Sequence, residues 1–348
     1  KTFRFEKEFC EYLGGDVECV AVNSATAGLH LALEAIGITH GDEVIVPDYT
    51  FTATAEVVRY LGADPVFVDV DYDSFNISVD AIEAAITDKT KAIMPVHFAG
   101  LACDMQAILD LANKHGLKVV EDAAHALPSS SGGVRVGQFE SAASVFSFYA
   151  NKTITTGEGG MLVTKDKAIA DRARKMRLHG FDRAAFDRFK TGNWMYDIVA
   201  PGYKYNMTDI AASLGLHQLK KADFFQEERQ KVCRQYDEAL ADLPLELPAH
   251  CAKGDVHSWH LYIVRVSEDA KIDRDTLFQE MAEAGITCSV HYTPLHRFTY
   301  WRETYDLKAE QFPQSERAGK NVISLPLYVG MEQEKTDYVI ATLKRLLG

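Results

Sequence analysis

Three side chains in this 348-residue sequence stand where ionisable groups are rare, directly after short apolar runs. Asp122 closes "LKVVED", His125 follows in "AAHALPS", and Lys152 follows "ASVFSF" at the head of the glycine-rich "TTGEGG". A carboxylate at the end of a buried strand needs a cationic partner, which a ligand's protonated ring nitrogen or a buried Lys or Arg would each supply. A lysine beside a buried strand end is desolvated, which lowers its pKa and makes its amine nucleophilic; a lysine on a surface turn is the plainer alternative. His125 faces the same ligand or satisfies a backbone group. In "NSATAGLHLAL" small hydroxyl residues open a helix, and the free N–H groups at Ser24, Ala25 and Thr26 suit a phosphate as well as an ordinary N-cap. Phe51, in "PDYTFTATAEVV", follows another strand end and offers a flat face to a ring or an aromatic to the core.

Each feature alone is weak, but together they match the requirements of pyridoxal phosphate. That cofactor takes an amine for its aldehyde, an acid for its pyridine nitrogen, a helix start with a hydroxyl for its phosphate, and a flat side chain for its ring.

The elements that must position these groups alternate. Strands are expected at 18–22, 43–47, 65–70, 91–98, 117–122, 143–148 and 160–164, with amphipathic helices at 26–36, 79–86 and 104–115. Strands separated by helices imply crossover units and a mainly parallel sheet covered on both faces, with ligands at the carboxyl ends of the strands. Phe5, Phe9 and Leu13 recur at helical spacing before Gly14-Gly15, so the chain opens inside an amphipathic helix, and a preceding segment is expected. A charged helix at 166–178, a long connection at 179–204 and a helical stretch at 207–242 follow. "WHLYIVRV" and "ITCSVHY" read as strands, with helices at 274–284 and 332–346. The expected division is a large α/β domain over 1–242 and a smaller α/β domain over 243–348.

Composition narrows the partners. Lys and Arg total 37 against 50 Asp and Glu, a net charge of −13 that opposes binding to nucleic acid or anionic lipid. No apolar stretch approaches the ~20 residues of a membrane span. Cys10, Cys19, Cys103, Cys233, Cys251 and Cys288 are scattered without CxxC pairing, which suits a reducing cytoplasm. No metal site is expected: "DVDYDSFNISVD" has Ser74 where a calcium loop requires glycine, and "HSWH" and "HYTPLH" lack partner ligands. A nicotinamide dehydrogenase is disfavoured because no glycine fingerprint follows the first strand.

The ordered set "NSATAGLHLAL", "GDEVIVPDYTFTATAEVV", "GADPVFVDVD", "AIMPVHFAG", "VVEDAAHALPS", "SVFSFYANKTITTGEGGMLVT", "PGYKYNMTDIAASLGLHQL" and "VHYTPLH" resembles the DegT/DnrJ/StrS sugar aminotransferases over nearly the whole chain. The resemblance implies fold type I, the architecture of aspartate aminotransferase, with pyridoxal 5'-phosphate as cofactor. It implies that Lys152 bonds covalently to the cofactor, Asp122 pairs with the ring nitrogen, His125 lies near the ring's 3-oxygen and Phe51 stacks on the ring. Ser24, Ala25, Thr26 and Ser147 would hold the phosphate, and Ala25 departs from the commoner glycine. Lys204 and Asn206, in "GYKYN" where many relatives carry "GYNYR", would reach a neighbouring subunit's site, implying a homodimer with shared active sites. L-glutamate would be the donor, yielding 2-oxoglutarate, and a nucleotide-linked keto sugar the acceptor. The variant motifs look most like enzymes that aminate a UDP-linked 4-keto-pentose. Lys204, Arg183 and His291 are candidates for the nucleotide-sugar's anionic handle. The alternatives are a sugar dehydratase of the same family, which Lys152 opposes because those enzymes carry histidine there, and a non-catalytic regulatory protein on the same fold.

Overall fold

Runs of β-branched and other apolar residues, buried on both faces, form the central sheet. The computed structural model describes residues 1–182 and 195–348. Its strands are β1 (Glu18–Val22), β2 (Glu43–Pro47), β3 (Asp64–Val68), β4 (Thr90–Ile93), β5 (Lys118–Asp122), a small hairpin of β6 (Ser130–Ser131) and β7 (Val134–Arg135), then β8 (Ala143–Ser147) and β9 (Gly160–Thr164). Seven of them form one sheet in the order β1-β9-β8-β5-β4-β2-β3. Only β9 runs against its neighbours; β8, β5, β4, β2 and β3 are parallel. The carboxyl ends of the parallel strands and the start of β9 therefore lie along one edge.

Helices α1 (Thr2–Leu13), α2 (Ala25–Ala35), α3 (Ala53–Tyr60), α4 (Val79–Ala85), α5 (Met105–His115) and α6 (Lys167–Met176) accompany the sheet. Side chains of Ser24, Ser78, Asp104 and Asp166 accept amide bonds at the starts of α2, α4, α5 and α6. The apolar spacing of α1 buries Phe5, Phe9 and Leu13, and Gly14, at φ 119°, ends it in a left-handed conformation. Phe9 meets Phe146 and Phe148 at ring separations of 5.4 and 5.6 Å, so α1 backs the strand that leads to Lys152.

A second, antiparallel sheet of β10 (Leu245–Glu246), β11 (Tyr262–Val266) and β12 (Val322–Leu325) has its own apolar core. Val232, Cys233, Tyr236 and Leu240 belong to that core. They come from the stretch 207–242, which is two helices rather than one: Asp209–Leu219 packs on α1, and Ala222–Leu240 begins after Lys221 leaves helical geometry. The break turns the second helix toward the second sheet; uniform helical periodicity on either side of it hides it from the sequence. The stretch "ITCSVHY" also differs from expectation. It makes a single bridge, Ser289 with Ser324, and is not a strand. The Tyr49 hydroxyl takes the amide of Tyr292 and donates to the carbonyl of His291, occupying groups that a ladder would need. In "DVDYDSFNISVD" the Asp69 carboxylate accepts both amides and the hydroxyl at Gln314 and Ser315, capping the helix Pro313–Asn321.

Phe9→Ala would open a void beneath β8. The expected loss of unfolding free energy is about 3–5 kcal/mol, measured by denaturant titration.

Candidate active site

The strand edge closes over a cavity of about 380 Å³. Ser24, Ala25, Thr26, Phe51, Asp122, His125, Ser147, Lys152 and His291 all line it, together with Thr50, Tyr149, Asn151, Glu158 and Tyr292. Nine expected residues thus converge from five loops.

Asp122 is the last residue of β5 and only 6% exposed. Its Oδ2 accepts the Thr54 hydroxyl at 2.9 Å and its Oδ1 the Ala124 amide at 3.1 Å. Burial raises its pKa above the ordinary carboxylate value, opposed by those two donors and by the charge of Lys152. Lys152 sits in the connection between β8 and β9, its amide bonded to the Tyr149 carbonyl. Burial lowers its amine to about 8, against the pull of Asp122. Both groups are displaced toward their neutral forms by the same desolvation.

His125 is buried, with Nε2 3.2 Å from the Tyr292 hydroxyl and Nδ1 without a partner. Burial and the charges of Lys152 and His291 push it well below the usual imidazole range. His291 is likewise lowered to about 4, chiefly by burial, and its Nδ1 lies 2.8 Å from the Ser324 hydroxyl. Phe51 presents a ring 57% exposed along the cavity wall, 6.0 Å from Tyr292.

At the start of α2 the Ser24 hydroxyl accepts the Ala27 amide, so that oxygen serves as the cap. The helix ladder leaves the amides of Ala25 and Thr26 free toward the cavity. Gly160 makes this approach possible, since a Cβ there would come within 2.8 Å of the Ala25 nitrogen and the Ser24 carbonyl. Ser147 Oγ accepts the Tyr149 amide at 3.3 Å.

The remaining expectations fall elsewhere. Lys204 and Asn206 do not line this cavity. Their segment runs beside the end of β1, where the Asn23 amide bonds to Tyr205 and Val22 bridges to Asn206, and Lys204 is exposed. Arg183 lies outside the described residues. Thr50, Thr54 and Tyr292 were not singled out from the sequence. Thr50 and Thr54, four apart with hydroxyls 3.0 Å from one another, carried a helical-spacing signal; Tyr292 carried none beyond its place in "VHYTPLH".

A pattern describing one family of enzymes matches residues 1–344. The chain belongs to the DegT/DnrJ/EryC1/StrS aminotransferase family. The spore coat polysaccharide biosynthesis protein SpsC of Bacillus subtilis is 42% identical over all of this chain and 90% of its own. Spr1654 of Streptococcus pneumoniae, solved in a PMP form, is 36% identical and superposes with a TM-score of 0.93 over 99% of this chain and 91% of its own. PseC of Helicobacter pylori, an aminotransferase involved in pseudoaminic acid biosynthesis, is 30% identical with a TM-score of 0.90 over 99% and 91%. This chain is therefore an aminotransferase of fold type I that uses pyridoxal phosphate. The cavity suits that cofactor: an exposed flat ring, free helix-start amides beside a glycine that a Cβ would crowd, an amine lowered to about 8, and a carboxylate without an ion-pair partner among the described residues. Among the described residues no cluster of His, Cys, Asp and Glu is arranged to hold a metal ion, and no helix is long and apolar enough to cross a membrane.

Two measurements check the site. In the cofactor-free protein, Lys152 should be acylated by an amine-selective reagent with a pH midpoint of about 8, below that of other lysines, read by peptide mass spectrometry. Gly160→Ala should weaken cofactor affinity roughly tenfold or more, because the added carbon meets backbone that cannot yield.

Proposed function

We propose that this enzyme moves an amino group from L-glutamate to a nucleotide-linked keto sugar, best read as a UDP-4-keto sugar, at sites shared within a cytoplasmic homodimer. The observation that carries the reading is the meeting of Lys152 and Asp122 in one cavity, each shifted by burial toward its neutral form and neither, among the described residues, ion-paired with another side chain.

Bound pyridoxal phosphate supplies an electrophilic carbon and a ring that accepts electrons from a carbon losing its proton. In this reading Lys152 is the covalent anchor and, once released, the general base and acid. With its pKa near 8, Nζ takes and returns a proton close to neutral pH, where an ordinary lysine stays charged. Asp122 would hold the ring nitrogen protonated; the Thr54 hydroxyl and Ala124 amide fix its orientation. Phe51 would stack on the ring and His125 would lie beside its oxygen. Ser24, Ala25, Thr26 and Ser147 would hold the phosphate. His291 is the substrate-side candidate that lines the cavity, and Lys204 and Asn206 would act in the partner's site.

SpsC's role in spore coat polysaccharide biosynthesis and the description of Spr1654 as a sugar aminotransferase support a sugar acceptor. A sugar destined for transfer needs an activated anomeric carbon, which a nucleotide diphosphate provides. The dimer is supported by exposed apolar side chains: Ile210 is 80% exposed, and Leu214 joins it in a hollow that shares Glu158 with the cofactor cavity. Six free cysteines accord with a reducing compartment.

Lys152→Ala should lower turnover by about 10³-fold or more while the protein stays folded, and should remove the visible cofactor band. A panel of nucleotide-linked keto sugars with glutamate, followed by 2-oxoglutarate release, tests the substrates; no turnover with any member would refute the acceptor class. Ile210→Glu should shift the protein to a monomer on size-exclusion chromatography and cut activity in parallel.

A further inference from the structure

One buried charged cluster takes no part in that chemistry. Asp48, wholly buried, follows β2 by one residue. Its Oδ2 lies 2.6 Å from Nδ1 of His296, its Oδ1 accepts the His296 amide at 2.8 Å, and its carbonyl accepts the Leu295 amide. On the opposite side Nε2 of His296 faces Oε2 of Glu316, 3.0 Å away in the helix Pro313–Asn321. Ionised carboxylates only accept, so both contacts are satisfied at once when both ring nitrogens carry protons. Arg297 and Lys320 hold Glu316 at 2.9 and 3.1 Å, and Asp69 is the further charge felt by Asp48. The Phe312 ring stacks on the imidazole at 5.2 Å.

The cluster joins two stretches that no strand pairing connects among the described residues. Residues 48–54 bring Thr50, Phe51 and Thr54 to the cofactor cavity, and residues 291–296 bring His291 and Tyr292. Between them run one backbone bond, from the Leu295 amide to the Asp48 carbonyl, and side-chain bonds from Tyr49 to His291 and Tyr292 and from Asp48 to His296. We propose that protonated His296, gripping Asp48 and Glu316 together, is a positioning residue that fixes these two walls of the cavity and so sets its affinity for the cofactor. The inference rests on the reading that this cavity holds the cofactor.

Burial opposes the charged imidazole, but Asp48 and Glu316 outweigh it and the pKa is raised; Arg297 foremost, with His296 and Lys320, brings Glu316 down to about 2. A raised pKa gives a coupling that is complete below the ordinary imidazole value of 6.5 and fades as pH rises through the folded-state value. The His296 contribution to cofactor affinity therefore declines toward alkaline pH, separately from any effect of Lys152.

The first test uses the intact holoenzyme labelled with ¹⁵N-histidine, the His296 signals being those missing from His296→Gln. Both ring nitrogens should be protonated at pH 6.5, the ordinary imidazole midpoint; a ring nitrogen that is mainly deprotonated there overturns the proposal, whatever the cavity binds. The second measures pyridoxal phosphate affinity by absorbance. His296→Gln and Asp48→Asn should each weaken it roughly tenfold, and the double variant no further than the worse single. The ratio of variant to wild-type dissociation constants should shrink as pH rises. Unchanged affinity, additive losses or a pH-independent ratio would each overturn the proposal. Should those variants fail to fold, Glu316→Gln at the partly exposed end should weaken binding about two- to threefold, and wild-type affinity there would count against the idea.

Discussion

Everything at the strand edge turns on two opposite charges that share a cavity without forming an ion pair. Asp122 is held by a hydroxyl and an amide, neither of which carries charge, and among the described residues no carboxylate is bonded to Lys152. Burial acts on both and in opposite pKa directions, raising the acid and lowering the amine. If the two side chains met, each would restore the other's charge, and the amine would cease to be a nucleophile near neutral pH. The fold keeps them apart by register. Asp122 is paired with Val145, while Lys152 lies several residues past the end of β8 on the connection that returns as β9.

That connection explains why one strand of the sheet is reversed. Because β9 runs antiparallel to β8 and β1, its first residues lie at the same edge as the carboxyl ends of β5, β8 and β2. A crossover to another parallel strand would need a dozen or more residues and would carry Gly159 and Gly160 to the far edge. The reversal instead lays Gly160 against the start of α2, where the missing side chain admits the backbone of Ser24 and Ala25. Behind this edge, Phe5 and Phe9 of α1 press on Phe146 and Phe148, so an element remote from the cavity stiffens the strand that supports Lys152.

The sequence disclosed this edge better than it disclosed the wall opposite. β1, β2 and β9 have the expected bounds because a short apolar run fills each and a charged, polar, glycine or proline residue marks its ends. Asp122, His125 and Lys152 were legible because charge rarely follows such runs. The wall built from residues 286–296 was not. "ITCSVHY" has strand-like composition, and tertiary contacts with Tyr49 occupy the backbone groups that a ladder would use. The break at Lys221 was hidden for a related reason: it satisfies the packing of two separate cores, and helical spacing within each half remains intact. Local pattern reports an element's buried face, not which neighbour that face will meet.

The histidines complete the electrostatic logic. His125 adjoins Lys152, and a protonated imidazole there would repel the ammonium and compete for Asp122 as a cation. Its low pKa prevents that, and so does that of His291. His260, buried with its ring centroid 4.3 Å from that of His125, is lowered too. Two neutral imidazoles, His125 and His291, therefore line the cavity with His260 packed against His125, and none of the three competes with a ligand's ring nitrogen as a cation for Asp122. The contrast with His296 is instructive, because it differs in partners rather than in depth. Two carboxylates face its two nitrogens, whereas His125 has a phenol on one and nothing on the other. Burial alone would neutralise both; what decides which histidine carries charge is whether the fold brings an acid to it.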